Sequence, residues 1–402
     1  MLSTLRQLPK SIWVLGFVSM LTDISSEMIH SLLPLFMVGT LGASSLTVGL
    51  IEGLAEGLAM VVKVFSGSLS DYLGKRKWLA VTGYTMSAFT KPLFAIAPSI
   101  GFVFTARMAD RIGKGIRGAP RDALIADITP PESRGAAFGL RQSLDTVGAF
   151  VGPLIAVGLM LLWANDFRKI FWVAVIPAFL AVILLMLGVV ETDQQGKRKP
   201  GNPVSKHNLR RLSFNYWWVV VVGAVFTLAR FSEAFLILRA HQVGVPLAFV
   251  PLVMVAMNIV YSACAYPFGQ LSDRVNRLQL LAAGLLVLIM ADLVLAYSTH
   301  WSALLLGVAL WGVHMGMTQG LLAAMVAATA PADLRGTAFG FFYLMSGIAL
   351  LIASTVAGLL WDSYGAAFTF YVGAGFCVLT LIALLTAPRV SEEALDNGSR
   401  PR

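Results

Sequence analysis

The chain has 402 residues, of which 57% are hydrophobic and 13% are charged, and its mean hydropathy is +0.77. These values exclude an ordinary soluble globular domain and are typical of a polytopic membrane protein. The net charge of +9 would also suit a nucleic-acid-binding protein. The bases, however, concentrate in loops on one side of the predicted spans, so we expect no nucleic-acid partner.

Apolar stretches of about 20 residues or more recur along the whole chain, and each is long enough to cross a bilayer. The first follows Arg6 and Lys10 but contains Asp23 and Glu27 and has no small-residue cleavage site, so we interpret it as an uncleaved helix. The two cysteines fall within spans, which supports neither a disulfide nor a cysteine metal site. The clear spans are 11–36, 48–69, 78–97, 136–163, 170–190, 217–238, 246–268, 278–297, 301–329, 337–360 and 368–388.

Two short segments recur at a separation of half the chain. GSLSD at 67–71 returns as GQLSD at 269–273, and SRGAAFG at 133–139 returns as LRGTAFG at 334–340, at offsets of 202 and 201 residues. Such a duplication is expected of a transporter built from two parallel copies of one membrane unit. We therefore predict an N-terminal six-helix half at 1–190, a cytoplasmic linker at 191–215 and a C-terminal six-helix half at 216–402.

The segment ADRIGKGIRGAPRDAL at 109–124 is unusually rich in charge for this chain. The offset of 202 aligns 99–127 with the apolar span 301–329, which predicts that this segment lies in the missing twelfth helix. Five bases facing lipid at mid-bilayer would cost on the order of 15 kcal/mol, so they must meet water, counter-charges or substrate. An interfacial helix that spans only with its upper part is the alternative. The charged side chains within an arc of about 140° are Arg107, Asp110, Arg111, Lys114, Arg117, Arg121 and Asp122.

The distribution of bases between the loops predicts the orientation in the membrane. Twelve spans place most basic loop residues, such as Lys75, Arg76 and Lys77, on the side of both termini, and only Arg168, Lys169 and Arg239 on the other side. Both termini are therefore predicted to be cytoplasmic, in what we expect to be a bacterial inner membrane.

Two motifs resemble signatures of the major facilitator superfamily. The loop GSLSDYLGKRK resembles the signature between the family's second and third helices. The spacing G-x8-G-x3-G-P, which begins at Gly139, resembles the fifth-helix signature of its proton antiporter branch, which exports drugs and metabolites. The resemblance implies an all-α integral membrane protein of twelve helices, as two six-helix bundles related by a pseudo-two-fold axis along the membrane normal. Asp71 and Asp273, at helix–loop junctions, can bond helix N-termini and act as latches. The motif residues are Gly67, Asp71, Gly74, Lys75 and Arg76, their copies Gly269, Asp273 and Arg274, and Gly148, Gly152 and Pro153.

The resemblance also implies which helices line the central cavity, namely the first, fourth, seventh and tenth. The first offers Asp23, Glu27 and His30 at helical spacing, and we predict that these residues carry the coupled protons, because burial and nearby bases shift a carboxylate's proton affinity in opposite directions. Permanent ion pairing with the fourth helix is the alternative. The candidate substrate residues are Arg107, Asp110, Arg111, Lys114 and Arg117, with Arg230 and Glu233 on the seventh helix and Trp311 and His314 on the tenth.

These observations favour a proton-coupled secondary transporter that works by alternating access as a monomer and needs no cofactor. A small surplus of bases favours an anionic or amphipathic solute, and the antiporter motif favours export. Asp23, Glu27, His30 and His314 leave open a transition-metal or metal-chelate transporter, although both histidines also fit as hydrogen-bonded interior side chains. The sequence has no phosphate-binding loop and no metalloprotease or serine-hydrolase motif, so we expect neither a pump nor an enzyme. An intramembrane enzyme and a non-transporting receptor are the alternatives from other classes.

Overall fold

The fold is described from a computed structural model for residues 8–73, 75–130, 133–190, 211–272, 275–318, 321–331 and 334–386. These residues form helices and connections, and no strand occurs among them, which confirms the predicted all-α class. The helices are α1 (Lys10–His30), α2 (Ser45–Leu73), α3 (Arg76–Ile96), α4 (Ile100–Ile128), α5 (Arg134–Leu162), α6 (Phe167–Gly188), α7 (Phe214–Leu228), α8 (Ala234–Gln242), α9 (Leu252–Ser272), α10 (Arg277–Tyr297), α11 (Trp301–Thr318), α12 (Leu321–Thr329), α13 (Arg335–Tyr364) and α14 (Ala366–Thr386).

Eight helical stretches in these described ranges are long and apolar enough to cross a membrane, and α7 is a shorter apolar helix. The remaining predicted spans fall on α2, α3, α4 and on α7 with α8, which is consistent with twelve. The eight stretches are Lys10–Thr40, Ala136–Leu162, Phe167–Gly188, Leu247–Gly269, Arg277–Tyr297, Trp301–Thr318, Ala338–Tyr364 and Ala366–Leu384.

The charged segment that the duplication predicted to be helical lies in one continuous helix, α4, of 29 residues. Its start is capped by Ser99, whose hydroxyl accepts a hydrogen bond from the backbone N–H of Phe102 at 3.4 Å. At its end, the hydroxyl of Thr129 donates to the carbonyl of Ile125 at 2.7 Å. The prediction of a helix at this position is therefore confirmed.

Two of the predicted spans are interrupted in the structure. The first span bends after His30, and a short turn at Leu33–Leu35 and a π-helical turn at Phe36–Thr40 follow. Pro34 accounts for the break, because proline has no N–H to donate and disfavours helical backbone in the residue before it. The seventh span is interrupted between α7 and α8, where the Ser232 hydroxyl accepts the N–H of Ala234 at 3.2 Å and restarts the helix.

By internal packing the chain divides into two compact units. Unit one contains the described residues of Met1–Ala43, Leu54–Gly201 and Pro246–Val255, and unit two contains those of Ser44–Gly53, Asn202–Val245 and Ala256–Arg402. In unit one, glycines let α3 and α4 cross closely, since a Cβ on Gly83 would lie 2.7 Å from the carbonyl oxygen of Gly113. In unit two, Phe231, Phe235, Phe370 and Trp311 form an aromatic core.

Candidate functional site

A buried ion pair lies at the centre of unit one. Asp110 of α4 and Lys91 of α3 meet at 3.0 Å, and their side chains are 6% and 2% exposed. Lys91 also donates to the hydroxyl of Ser26 on α1 at 3.1 Å. The second carboxylate oxygen of Asp110 lies 3.9 Å from Arg107 and 3.8 Å from Arg111. One aspartate therefore holds three bases in place and links α1, α3 and α4.

A second ion pair connects α4 to α2. The guanidinium of Arg111 lies 2.9 Å from the carboxylate of Glu56, which is about one-quarter exposed. Glu56 lies in the part of α2 that belongs to unit one, so this contact joins two helices of that unit. Arg111 lies between Glu56 and Asp110 and joins the two ion pairs into one network.

The acids of α1 lie close to this network. Glu27 is 3.7 Å from the His30 ring, and the charge of Lys114, an exposed residue of α4, interacts with Asp23, Glu27 and Glu56. Together with the two ion pairs these residues form what we term the charge cluster of unit one. Arg117 is included because its charge interacts with those of Asp23 and Asp110. The members are Asp23, Glu27, Glu56, Lys91, Arg107, Asp110, Arg111, Lys114 and Arg117.

Arg117 and Arg121 differ from the other bases of α4 in their surroundings. Arg117 is buried over the ring of Tyr84, 4.7 Å from its centre, and donates to the hydroxyl of Ser87 at 2.9 Å. Arg121 pairs with Asp122, which also accepts from Arg141. Arg117 is thus satisfied by contacts with α3, and Arg121 by Asp122 of its own helix and by the Ser19 hydroxyl of α1 at 3.3 Å.

The glycines of the fifth-helix motif lie directly against the acids of α1. A Cβ on Gly148 would lie 2.9 Å from the Cβ of Asp23, and a Cβ on Gly152 would lie 2.9 Å from the Cβ of Glu27. Pro153 is the buried residue that follows. Because these distances are shorter than real Cβ contacts, only glycine lets α5 approach α1 here.

Replacing Gly152 with Ala should destabilise the protein by about 1–3 kcal/mol, the usual effect of overpacking a close-packed site. The added methyl would meet the carbonyl oxygen of Ile24 at 2.8 Å as well as Glu27, and neither can rotate away. Gly158→Ala, in the same helix and with nothing within 4 Å, is the control and should be neutral or stabilising. Thermal unfolding in detergent measures both, and equal melting temperatures would contradict the close approach.

The loop-signature residues are only partly described. Gly67 lies in α2, Asp71 lies near its end and Lys75 is exposed, whereas Arg76 pairs with Asp127 of α4 at 2.6 Å. In the second copy, Gly269 is exposed in α9. Gly74, Asp273 and Arg274, like 191–210 of the predicted linker, lie outside the described residues. The latch hypothesis thus stays a prediction.

The candidate residues of unit two form a separate group. Arg230 and Glu233 lie in the interruption between α7 and α8. His314 is fully buried, and its Nδ1 donates to the carbonyl of Gly284 at 2.9 Å, whereas its Nε2 has no hydrogen-bond partner in the described part of the chain. Trp311 is also fully buried, 5.5 Å from the ring of Phe231, and its indole N–H has no partner in these ranges.

Lys91 was missed by the sequence reasoning, which followed the charged segment of α4. The signal was nevertheless present, because a lysine within the apolar span 78–97 is costly and therefore functional or paired by default. Its partner Asp110 is 19 residues away on another helix, and the sequence alone did not identify that contact.

The Major Facilitator Superfamily sequence profile matches residues 15–241 and 223–401. The chain belongs to this superfamily. It is therefore a membrane transporter rather than an enzyme, as the sequence motifs predicted.

Relatives and solved structures agree with this assignment. A Major Facilitator Superfamily-type transporter of Methanocaldococcus jannaschii is 34% identical over 94% of this chain and 95% of its own. The multidrug resistance protein MdtH of Yersinia pestis is 24% identical over 90% and 89%. Among structures, the nucleoside transporter NupG superposes with a TM-score of 0.79 at 14% identity, covering 93% of this chain and 99% of that one. The human organic anion transporter MFSD10 does so with a TM-score of 0.67 at 18% identity and the same coverage. At these identities the structures establish the fold alone.

Proposed function

We propose that this superfamily member moves a small anionic or amphipathic solute by alternating access of its halves, 1–190 and 216–402, coupled to protons. The observation that carries the proposal is the charge cluster of unit one. Its five bases outnumber its four acids by one, so the cluster has one positive charge in excess that an anionic group can compensate. We further propose that the protein acts as a monomer in the cytoplasmic membrane with both termini in the cytoplasm.

An anionic group suits this cluster because its bases include arginines next to a partly exposed acid. Arg111 already forms a short ion pair with Glu56, and a guanidinium binds carboxylate or phosphate with the same bidentate geometry. A substrate anion would thus replace one carboxylate by another. Lys114 is the exposed base of the cluster and is the residue that a solute would reach first.

The proposed direction is export. The fifth-helix glycines supply the resemblance to the antiporter branch, and a relative over nine-tenths of the chain is named a multidrug resistance protein. Both observations concern similarity to other transporters. The protons are assigned to Asp23 and Glu27, with His30 as the base beside Glu27.

The competing proposal is a transition-metal or metal-chelate substrate held by Asp23, Glu27, His30 and His314. Within unit one, the Glu27–His30 approach at 3.7 Å supports it, as do the ligand atoms of His30 and Glu56, which lie within 4.8 Å of each other, and His314 offers a neutral nitrogen in unit two. Neutral imidazole nitrogen and carboxylate oxygen are suitable ligands for such ions. The two proposals differ in which variant should lose binding.

Calorimetry on purified protein separates these proposals after a thermal-shift panel of carboxylates, phosphates, divalent transition metals and amphipathic drugs. For an anion, Arg111→Gln should weaken binding roughly ten- to a hundredfold, the effect of losing a charged hydrogen bond, whereas His314→Ala should not. Arg168→Gln is the control, since Arg168 bonds the carbonyls of Ala95 and Ala97 outside the charge cluster. Unchanged affinity in Arg107→Gln and Arg111→Gln would contradict the anion proposal, and loss in His314→Ala with a metal would establish its competitor.

A further inference from the structure

Asp292 of α10 is a fully buried acid that the charge cluster does not include. Its exposed fraction is 0%, and neither of its carboxylate oxygens has a hydrogen-bond partner among the residues that the structure describes. An ionised and unpaired carboxylate in such a place is strongly destabilising, because nothing replaces its lost hydration. The neutral, proton-bearing form avoids this cost.

The surroundings of Asp292 contain no charged partner among the residues that the structure describes. A Cβ on Gly373 of α14 would lie 2.8 Å from the carboxylate and 3.1 Å from the ring of Phe231. The thiol of Cys377, one turn further along α14, interacts electrostatically with the acid and is its titratable neighbour in these ranges. On the side of α11, the ring of Phe231 contacts the ring of Trp311. The indole N–H of Trp311 has no hydrogen-bond partner among the described residues.

The duplication shows how unusual this arrangement is. α3 and α10 have equal lengths and bounds 201 residues apart, and at that offset Lys91 corresponds to Asp292 and Asp110 to Trp311. In the first copy the buried charge has its counter-charge at 3.0 Å. In the second copy the charge is reversed and the partner position holds a tryptophan. Lys91, the residue equivalent to Asp292 in the first copy, therefore has a counter-charge, whereas Asp292 has none among the described residues.

The segment that covers Asp292 is an irregular part of unit two. Phe231 lies in the interruption between α7 and α8, where the regular helical hydrogen bonds stop. Next to it is Arg230, which is half-buried and interacts electrostatically with Glu233 but makes no ion pair within 4 Å with any described residue. Arg230 and Phe231 are neighbours in this irregular segment, so a movement that withdraws the Phe231 ring from the acid also moves the Arg230 backbone.

We propose that Asp292 binds and releases a proton during the transport cycle, with Arg230 moving towards it when the proton leaves. The covered state keeps the acid neutral, and the approach of Arg230 would compensate the carboxylate once it is ionised. This inference rests on the proposed proton coupling, to which it adds a site in unit two. The test of this site needs no substrate, so the site and the proposed solute transport can be contradicted independently of each other.

Infrared spectroscopy of the full-length protein in lipid tests the proposal, with heavy water as the probe. At neutral pH the wild-type spectrum should contain a protonated carboxylic acid C=O band that Asp292→Asn lacks, and this band should shift in heavy water as the proton exchanges. Arg230→Gln should slow that exchange roughly tenfold. Asp166→Asn, which removes an acid outside both sites and keeps a capping side chain, is the control and should leave the band in place.

Two results would overturn the proposal. If Asp292→Asn removes no protonated-acid band, the residue does not hold a proton. If the band is present but does not shift during hours in heavy water, the acid is sealed and merely structural. Should Asp292→Asn fail to fold, Asp292→Glu provides the same test, because it should keep an exchanging band at an altered frequency.

Discussion

Asp110→Asn should lower the free energy of unfolding by about 3–5 kcal/mol, which is the usual cost of leaving a buried charge without its partner. The substitution keeps the side chain's shape but leaves Lys91 without the carboxylate at 3.0 Å and removes the negative charge beside two arginines. Lys91→Met should cost less, because Arg107 and Arg111 still compensate Asp110. The double variant should recover part of the loss, since it buries no unpaired Lys91 or Asp110.

The control for this prediction is a lysine–aspartate pair at the surface. Lys169 and Asp166 are 3.3 Å apart but 61% and 36% exposed, so Lys169→Met should change stability by no more than about 1 kcal/mol. The backbone N–H of Lys169 donates to Asp166 and holds the pKa of that carboxyl below its ordinary value. Thermal unfolding in detergent measures all four variants. An Asp110→Asn protein as stable as Lys169→Met would show that the buried pair does not hold unit one together.

The double variant Asp23→Asn, Glu27→Gln should lose solute transport driven by a pH gradient, because both acids proposed to carry protons become non-ionisable. Exchange of solute at equal pH should survive, since the bases of the charge cluster remain. Proteoliposomes with an imposed pH gradient measure the first activity, and counterflow measures the second. Asp166→Asn, which removes an acid outside the cluster and keeps a capping side chain, is the control.

The same assay gives the sign of coupling. Exchange of solute for protons requires that the two bind alternately, so the solute affinity should fall as the pH is lowered. A proton on Asp23 or Glu27 adds positive charge, and electrostatics alone would instead strengthen anion binding on acidification. Rising affinity would therefore indicate co-transport and contradict export by exchange, and full gradient-driven transport in the double variant would remove both acids from the mechanism.

The parts of the fold that the sequence predicted are those that depend on local pattern and on the duplication. The offset of 202 placed a helix over the charged segment where hydropathy alone did not, and α4 is that helix. The packing of Gly148 and Gly152 against Asp23 and Glu27 was not predicted, although both pairs have the i and i+4 spacing that brings such positions on two packed helices together.

The parts that the sequence did not predict depend on which helices touch. The arc of charge on α4 grouped Arg117 with Arg111, yet Arg117 lies on Tyr84 of α3 and Arg111 on Glu56 of α2. Long side chains on one helical face reach different neighbouring helices. The angular positions of residues around one helix do not show which helices those are. Asp292 was overlooked for the same reason, since a lone acid in an apolar span reveals its unpaired state only after the surrounding helices are packed.

We propose that a solute binds through an anionic group to the bases of the charge cluster. Density for a bound ligand is the most direct test of this binding mode. The structure should be determined by electron cryomicroscopy with the compound that gives the largest thermal stabilisation in the panel. We expect a carboxylate or phosphate of that ligand to lie within hydrogen-bonding distance of Arg111 or Lys114. A ligand that places a cation or a metal ion against Asp23, Glu27 and His30, with Arg111 still bound to Glu56, would contradict it.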